Sequence, residues 1–401
     1  RSLGRALSAW DPSAGFGRIQ NQAVGYLLPM GPFSAAGRAV GLPAWVTQRL
    51  WIGAILVVGF LGARALARAL GMHGPGPVVA GLAYTLAPAS MATVAFQSAG
   101  QLPYAFAPWV LVPLVSGRAA TPRQAAARSA LAVALMGGVN GTATLAVLPL
   151  AAVWFLTRAP GRDRRRLLGW WVAGLAAATL WWGVALLVSI RYGVRFTQFT
   201  EQSVITTSTE TATDLWRGTG NWLGQLDGTS GRWLPGSWLL VSAPGAVIAS
   251  SLVALGGALG LARRDAPGRT WLLPAALLGV VAMGAGYAGA GGGPAAGLVQ
   301  GLLDGPLAAF RNVHKFSAVV RLPLAIGLGH LVASVAGAPA PAATPPAAAD
   351  PPAGSDPDAE VPVRGPAPTP ARSVHAGLAA AAPVLAVLLV LGATFPLLTD
   401  Q

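Results

Sequence analysis

The residues best suited to chemistry stand in Phe310-Arg311-Asn312-Val313-His314-Lys315-Phe316, immediately ahead of the apolar run Ser317 to Ala336. This stretch holds the only lysine of the chain and one of its four histidines. Read as a helical turn, Arg311, His314 and Lys315 fall at i, i+3 and i+4 and so share one face. A cationic face at the level of lipid head groups suits the gripping of a lipid-linked phosphate. The same three side chains would equally reach from a helix end to the interface with no ligand at all.

A second candidate is Arg191-Tyr192-Gly193-Val194-Arg195-Phe196-Thr197-Gln198-Phe199-Thr200-Glu201-Gln202, with two cations, three aromatics and an acid at the end of an apolar run. Glu201 could bind acceptor hydroxyls or act as a base, with Arg195 beside the substrate; the alternative is an amphipathic interfacial helix with Tyr192 in the aromatic belt. Gln20-Asn21-Gln22 offers neutral donors and acceptors that could read sugar hydroxyls, and suits an ordinary loop as well. Glu210, Asp214, Asp227 and Asp304 add carboxylates to the same polar segments. Asp11, in Trp-Asp-Pro, reads as a turn acid. Asn140-Gly141-Thr142 matches a glycosylation sequon that three residues meet readily by chance. No Walker loop, zinc spacing, GxSxG or HExxH occurs, so no metal ligand set can be named, although a divalent cation could serve a departing phosphate.

The elements that must position these groups are membrane helices. Hydrophobic residues make up 54% of the chain and charged residues 10%, with a mean hydropathy of +0.57, which excludes a soluble globule. The net charge of +14 is almost wholly arginine. Because those arginines sit in short loops between apolar runs, orientation in a membrane explains them better than nucleic acid does.

Ten crossings are expected: 46–63, 77–94, 102–116, 129–135, 143–156, 167–190, 238–261, 271–289, 317–336 and 376–395. With residues 1–45 outside as the remainder of a first extracytoplasmic loop, the arginine clusters at 64–68, 118–128, 158–166 and 263–269 all fall inside, as the positive-inside rule requires. The core then runs over 46–336, with an extracytoplasmic loop at 191–236. Residues 337–374, rich in Ala and Pro, read as a disordered cytoplasmic linker; a last helix at 375–397 leads to the start of another outer region at 398–401. The spanning runs contain essentially no acids, which argues against an ion-coupled transporter.

Four blocks carry a family resemblance: Trp10-Asp11-Pro12 leading to Gln20 through Phe33, Gln48-Arg49-Leu50-Trp51, Phe310 through Phe316, and Arg321-Leu322-Pro323-Leu324. Together they resemble the actinobacterial arabinofuranosyltransferase D family. The resemblance implies an all-α polytopic membrane helix bundle of GT-C type at the plasma membrane, using decaprenyl-phosphoryl arabinofuranose to extend an arabinan acceptor of arabinogalactan or lipoarabinomannan at the extracytoplasmic face. It implies an acyl carrier protein as a partner at the cytoplasmic face, and makes Tyr26, Asn312 and Arg321 expected substrate contacts beside Gln20, Asn21, Gln22 and Arg195. Such enzymes carry a catalytic acid soon after their first helix, which is expected upstream of Arg1; the chain is therefore expected to be an inactive piece of a longer enzyme. On this reading Arg311, His314 and Lys315 hold the donor phosphate and Glu201 is catalytic. The rivals are a lipid-linked sugar flippase and a non-catalytic glycan-binding scaffold.

Overall fold

The computed structural model describes residues 8, 10–12, 16–19, 23–193, 199–337 and 374–399. Gln20, Asn21, Gln22, Arg195 and nearly all of the 337–374 linker lie outside the described residues. The chain is a helical bundle. In order come α1 (Met30–Ala39), α2 (Ala44–Ala69), α3 (Gly76–Thr85), α4 (Pro88–Val94), α5 (Ser98–Val115), α6 (Pro122–Ala134), α7 (Gly141–Val147), α8 (Pro149–Thr157) and α9 (Arg162–Tyr192). After the polar segment with its short α10 (Ser203–Thr207) and α11 (Ala212–Arg217) follow α12 (Pro235–Ser242), α13 (Pro244–Ala262), α14 (Arg269–Gly284), α15 (Ala296–Asp304), α16 (Ser317–Val335) and α17 (Val374–Thr399). Two antiparallel ladders, Trp10–Asp11 with Arg18–Ile19 and Asp227–Gly228 with Gly231–Arg232, pin loops outside the bundle.

Among the described residues, five helices are long and apolar enough to cross a membrane by length and composition, and the pair α3 and α4, bent by 47°, makes a sixth if it is one span. The ten crossings expected from hydropathy are therefore not ten long helices. At three of them proline is the cause, because it lacks an N–H and its ring clashes with the preceding turn. Pro88 starts α4 after the bend, Pro149 divides α7 from α8, and Pro244 divides α12 from α13 at extended Ala243. A hydropathy window averages across such breaks. The expected 102–116 run is α5, which begins earlier, at Ser98, and carries Pro103, Pro108 and Pro113 inside it.

Each break frees a carbonyl that must find another donor, since hydrocarbon supplies none. Pro108 deprives the Tyr104 carbonyl of its helical partner, and the Tyr84 hydroxyl donates to it at 2.6 Å. Pro88 does the same to the Tyr84 carbonyl, and the Tyr104 hydroxyl donates to it at 2.9 Å. The two rings stack with centroids 4.4 Å apart, so α3 and α5 are stapled by a reciprocal pair. Arg217 likewise donates to the Leu240 carbonyl, which Pro244 leaves free. Tyr84→Phe is expected to lower stability by about 1–3 kcal/mol, because the Tyr104 carbonyl stays buried with its donor gone. Thermal unfolding of the purified full-length protein checks this; an unchanged midpoint would mean another donor serves that carbonyl.

The centre of the bundle is α16, buried continuously from Ser317 to Gly329 and packed against α3, α13, α14 and α17. Its contact with α13 is backbone to backbone: a Cβ on Gly260 would overlap the Gly327 carbonyl, and one on Gly327 would overlap that of Gly257. Small residues allow this close approach where lipid, as apolar as leucine, gives helices no hydrophobic reason to associate. Outward faces remain apolar, with Leu180, Leu187 and Ile190 of α9 and Leu255 of α13 exposed. The chain is a membrane protein.

Candidate functional site

The mouth of α16 meets the N-terminal half of α5, the start of α7 and the polar segment 199–234. Between them lies a cavity lined by Gln97, Gln101, Tyr104, Glu210, Asn221, His314, Lys315 and Arg321, among others. Its free space is about 30 Å³, room for one or two waters.

Glu210 is the decisive group. It is 1% exposed, and neither carboxylate oxygen has a hydrogen-bond partner among the described residues. Burial pushes its carboxyl well above the usual carboxylate range; Arg321 opposes this and Asp214 adds to it. The loop around it is tightly tied. Thr209 donates to the Gly220 carbonyl at 2.5 Å, and the Asp214 carboxylate accepts from Thr211 at 2.6 Å, Thr219 at 2.7 Å and Arg217 at 3.3 Å. Asp214 is thus spent on holding the loop, which leaves Glu210 as the free acid. A Cβ on Gly220 would press on the Glu210 carboxylate, so an alanine there would displace it.

Lys315 enters the cavity from the other side. Its ammonium donates to Thr142 Oγ1 at 2.7 Å, that hydroxyl donates to Asn140 Oδ1 at 3.0 Å, and the same oxygen caps α7 through the Ala143 N–H at 3.2 Å. The Asn140-Gly141-Thr142 triplet therefore serves as the seat of Lys315. Arg321, 7% exposed, donates to the Leu215 and Trp216 carbonyls at 2.5 and 2.6 Å, the C-terminal carbonyls of α11, a favourable place for a cation. His314 completes the wall, both ring nitrogens buried and without hydrogen-bond partners among the described residues.

The expected shared face of Arg311, His314 and Lys315 does not form. The backbone runs as two 3-10 turns, Ala308–Phe310 and Val313–Phe316, with Arg311 at the break between them. His314 and Lys315 line the cavity, whereas Arg311 does not. Arg311 is 6% exposed and donates to the Glu201 carbonyl at 2.5 Å, Thr200 Oγ1 at 3.2 Å and the Leu303 carbonyl at 3.2 Å. It also pairs with Asp304 at 3.0 Å, and Asp304 accepts from Ser203. Guanidinium geometry suits this many-sided clamp.

Glu201 and Asn312 lie in that clamp and do not line the cavity. The Asn312 amide donates to the Glu201 carboxylate and its oxygen accepts from Trp222 at 2.9 Å. Tyr26, in the 3-10 turn Ala23–Leu27, is 41% exposed and away from the cavity. Of the expected residues, His314 and Lys315, from spacing, and Arg321, from the resemblance, line this cavity, and Glu210, Gln97, Tyr104 and the Thr142 seat were not singled out. No local signal separated Glu210 from the other acids of its segment. Among the described residues, no three His, Asp or Glu side chains come together as metal ligands.

Comparison with known proteins identifies the family of the chain. Residues 1–400 match the family model described as alpha-(1->3)-arabinofuranosyltransferase, N-terminal GT-C domain. The alpha-(1->3)-arabinofuranosyltransferase of Mycolicibacterium smegmatis is 41% identical over 340 residues, 84% of this chain and 24% of that protein. That of Mycobacterium tuberculosis is 40% identical over 352 residues, 85% of this chain and 25% of the relative. The cryo-EM structure of arabinofuranosyltransferase AftD from Mycobacteria superposes with a TM-score of 0.67 at 31% identity, covering 100% of this chain and 24% of that one. The chain spans about a quarter of the length of these relatives. A match over almost every residue, on a helical membrane core with the same fold, assigns it: the chain belongs to the AftD family of alpha-(1->3)-arabinofuranosyltransferases, as its N-terminal GT-C domain.

Proposed function

We propose that the full-length protein transfers arabinofuranose from decaprenyl-phosphoryl arabinofuranose to a growing cell-wall arabinan at the extracytoplasmic face of the plasma membrane. The reaction site on this reading is the cavity at the mouth of α16. The observation that carries it is Glu210: a buried carboxylate without a hydrogen-bond partner among the described residues, in a cavity shared with Lys315 and Arg321. An acceptor hydroxyl attacks the anomeric carbon, the bond from that carbon to the phosphate oxygen breaks, and the hydroxyl proton passes to the Glu210 carboxylate. The departing lipid phosphate takes up the electron pair and is met by Lys315 and Arg321. His314 stands beside it in the same wall. The Arg311 clamp, with Glu201 and Asn312, supports the wall by holding segment 199–206 against α15.

The test is transfer of labelled arabinose from decaprenyl-phosphoryl arabinofuranose by sealed membrane vesicles holding the full-length protein, with arabinan acceptor. A new glycosidic product dependent on the protein is expected. Movement of labelled donor across the bilayer without product would make the protein a flippase. Acceptor binding without donor consumption would make it a scaffold.

A further inference from the structure

At the arginine-rich end of the bundle, away from the cavity just described, α2 and α6 both pack on α5 and leave a groove of about 550 Å³ between them. That volume lies in the range of small-molecule sites, ~300–1,000 Å³. Each wall is one helix face. Leu61, Arg64 and Arg68 follow one another at i, i+3 and i+7 on α2, and Arg128, Leu131 and Leu135 do so on α6. Arg118, from the connection between α5 and α6, closes the polar end. The floor is Phe106 and Trp109 of α5, with Trp109 fixed by its indole N–H donating to the Val58 carbonyl at 2.9 Å.

Two features go together here. The four guanidiniums have no carboxylate partner among the described residues, although Arg263 elsewhere does pair, with Asp265. The groove floor beyond them is apolar, and Leu61 and Leu131 at its lips are 41% and 59% exposed. Orientation in the membrane asks for arginines in these loops; it does not ask for four of them, from three elements, to converge on one apolar slot.

We propose that this groove holds one anionic glycerophospholipid, its phosphate among Arg64, Arg68, Arg118 and Arg128 and one acyl chain along Trp109 and Leu131. Charge complementarity selects an anion, since Arg binds phosphate oxygens with two parallel N–H donors. The apolar floor, continuous with the lipid-facing exterior, selects a lipid over an acidic protein, which would meet an apolar trough with charged side chains.

The experiment uses delipidated full-length protein in detergent, titrated with palmitoyl-oleoyl-phosphatidylglycerol or the matching phosphatidylcholine and read by native mass spectrometry. The wild type is expected to retain phosphatidylglycerol at a concentration about tenfold below that needed for phosphatidylcholine. The double variant R68Q/R118Q is expected to erase that preference. L131W, which fills the trough and keeps every arginine, is expected to lower retention of phosphatidylglycerol; it serves if the arginine variant does not fold. Equal retention of the two lipids by the wild type, or unchanged preference in both variants, would overturn the proposal. So would full displacement of phosphatidylglycerol by millimolar inorganic phosphate, which would make this a free-anion site. Loss of a co-purifying acidic protein from R68Q/R118Q, with no lipid retained by the wild type, would assign the groove to a protein partner instead.

Discussion

Glu210→Gln in the full-length protein is expected to cut arabinosyl transfer by about 10²–10⁴-fold, the usual contribution of a positioned general base. The amide keeps the shape of the side chain and cannot accept a proton. The same variant should change how stability depends on pH. Burial raises the folded carboxyl above its ordinary value of 4.5, so the folded state favours the neutral acid. Its contribution to stability is then fully present below the ordinary value and is lost as pH rises through the raised one. The wild-type melting temperature should fall as pH rises above the ordinary carboxylate range, and that fall should be smaller in Glu210→Gln. Activity runs the other way, because a base must be ionised: transfer should rise with pH along an acid limb placed above the ordinary carboxylate range. Near-normal transfer by Glu210→Gln would remove Glu210 from the chemistry. An unchanged pH slope of stability would mean that the carboxyl is hydrated in the folded protein. Gly220→Ala is expected to reproduce the loss of transfer, since its methyl group would take the space of the carboxylate.

The second large effect separates two cations that stand four residues apart. Arg311→Gln is expected to lower stability by about 1–3 kcal/mol, the cost of leaving buried acceptors unsatisfied, because Thr200 and the Glu201 and Leu303 carbonyls lose a donor and the exposed Asp304 loses its ion pair. Transfer would fall with folded protein and be partly rescued at low temperature. Lys315→Gln should leave the melting temperature close to wild type, its fixed partner being one hydroxyl, and lower transfer by about 10–100-fold through loss of charge at the departing phosphate. The discriminating readout is activity per folded molecule, from a transfer assay normalised by monodisperse protein on size exclusion. Full specific activity in Lys315→Gln, with a stable but inactive Arg311→Gln, would return the donor phosphate to Arg311.

Gly193 and the residues before it show how far periodicity carries. The apolar run 167–190 is legible as one helix because nothing interrupts it, and α9 spans Arg162–Tyr192 without a break. The run 77–94 is also apolar enough for a crossing and folds as two helices, because Pro88 cannot continue the first. Averages over a window record composition, whereas a single missing N–H decides continuity. The staple between Tyr84 and Tyr104 was not visible for the same reason: its logic lies in which carbonyls two prolines leave free, and the tyrosines that answer are twenty residues apart.

What the sequence determined by itself is the solvent and the family: apolar runs with arginine-rich joints require a membrane, and the blocks around Trp10, Gln48, Phe310 and Arg321 carry the kinship that a match over residues 1–400 bears out. It also singled out His314 and Lys315, cations at a helix mouth, and the family resemblance added Arg321; all three line the cavity at the mouth of α16. Only the tertiary structure decided which acid is free. The sequence put Glu201 ahead of Glu210, Asp214 and Asp304; folding gives Glu201, Asp214 and Asp304 hydrogen-bond donors and leaves Glu210 with none among the described residues. A carboxylate takes its reactivity from its distance to donors and from water, and segments a hundred residues apart set both.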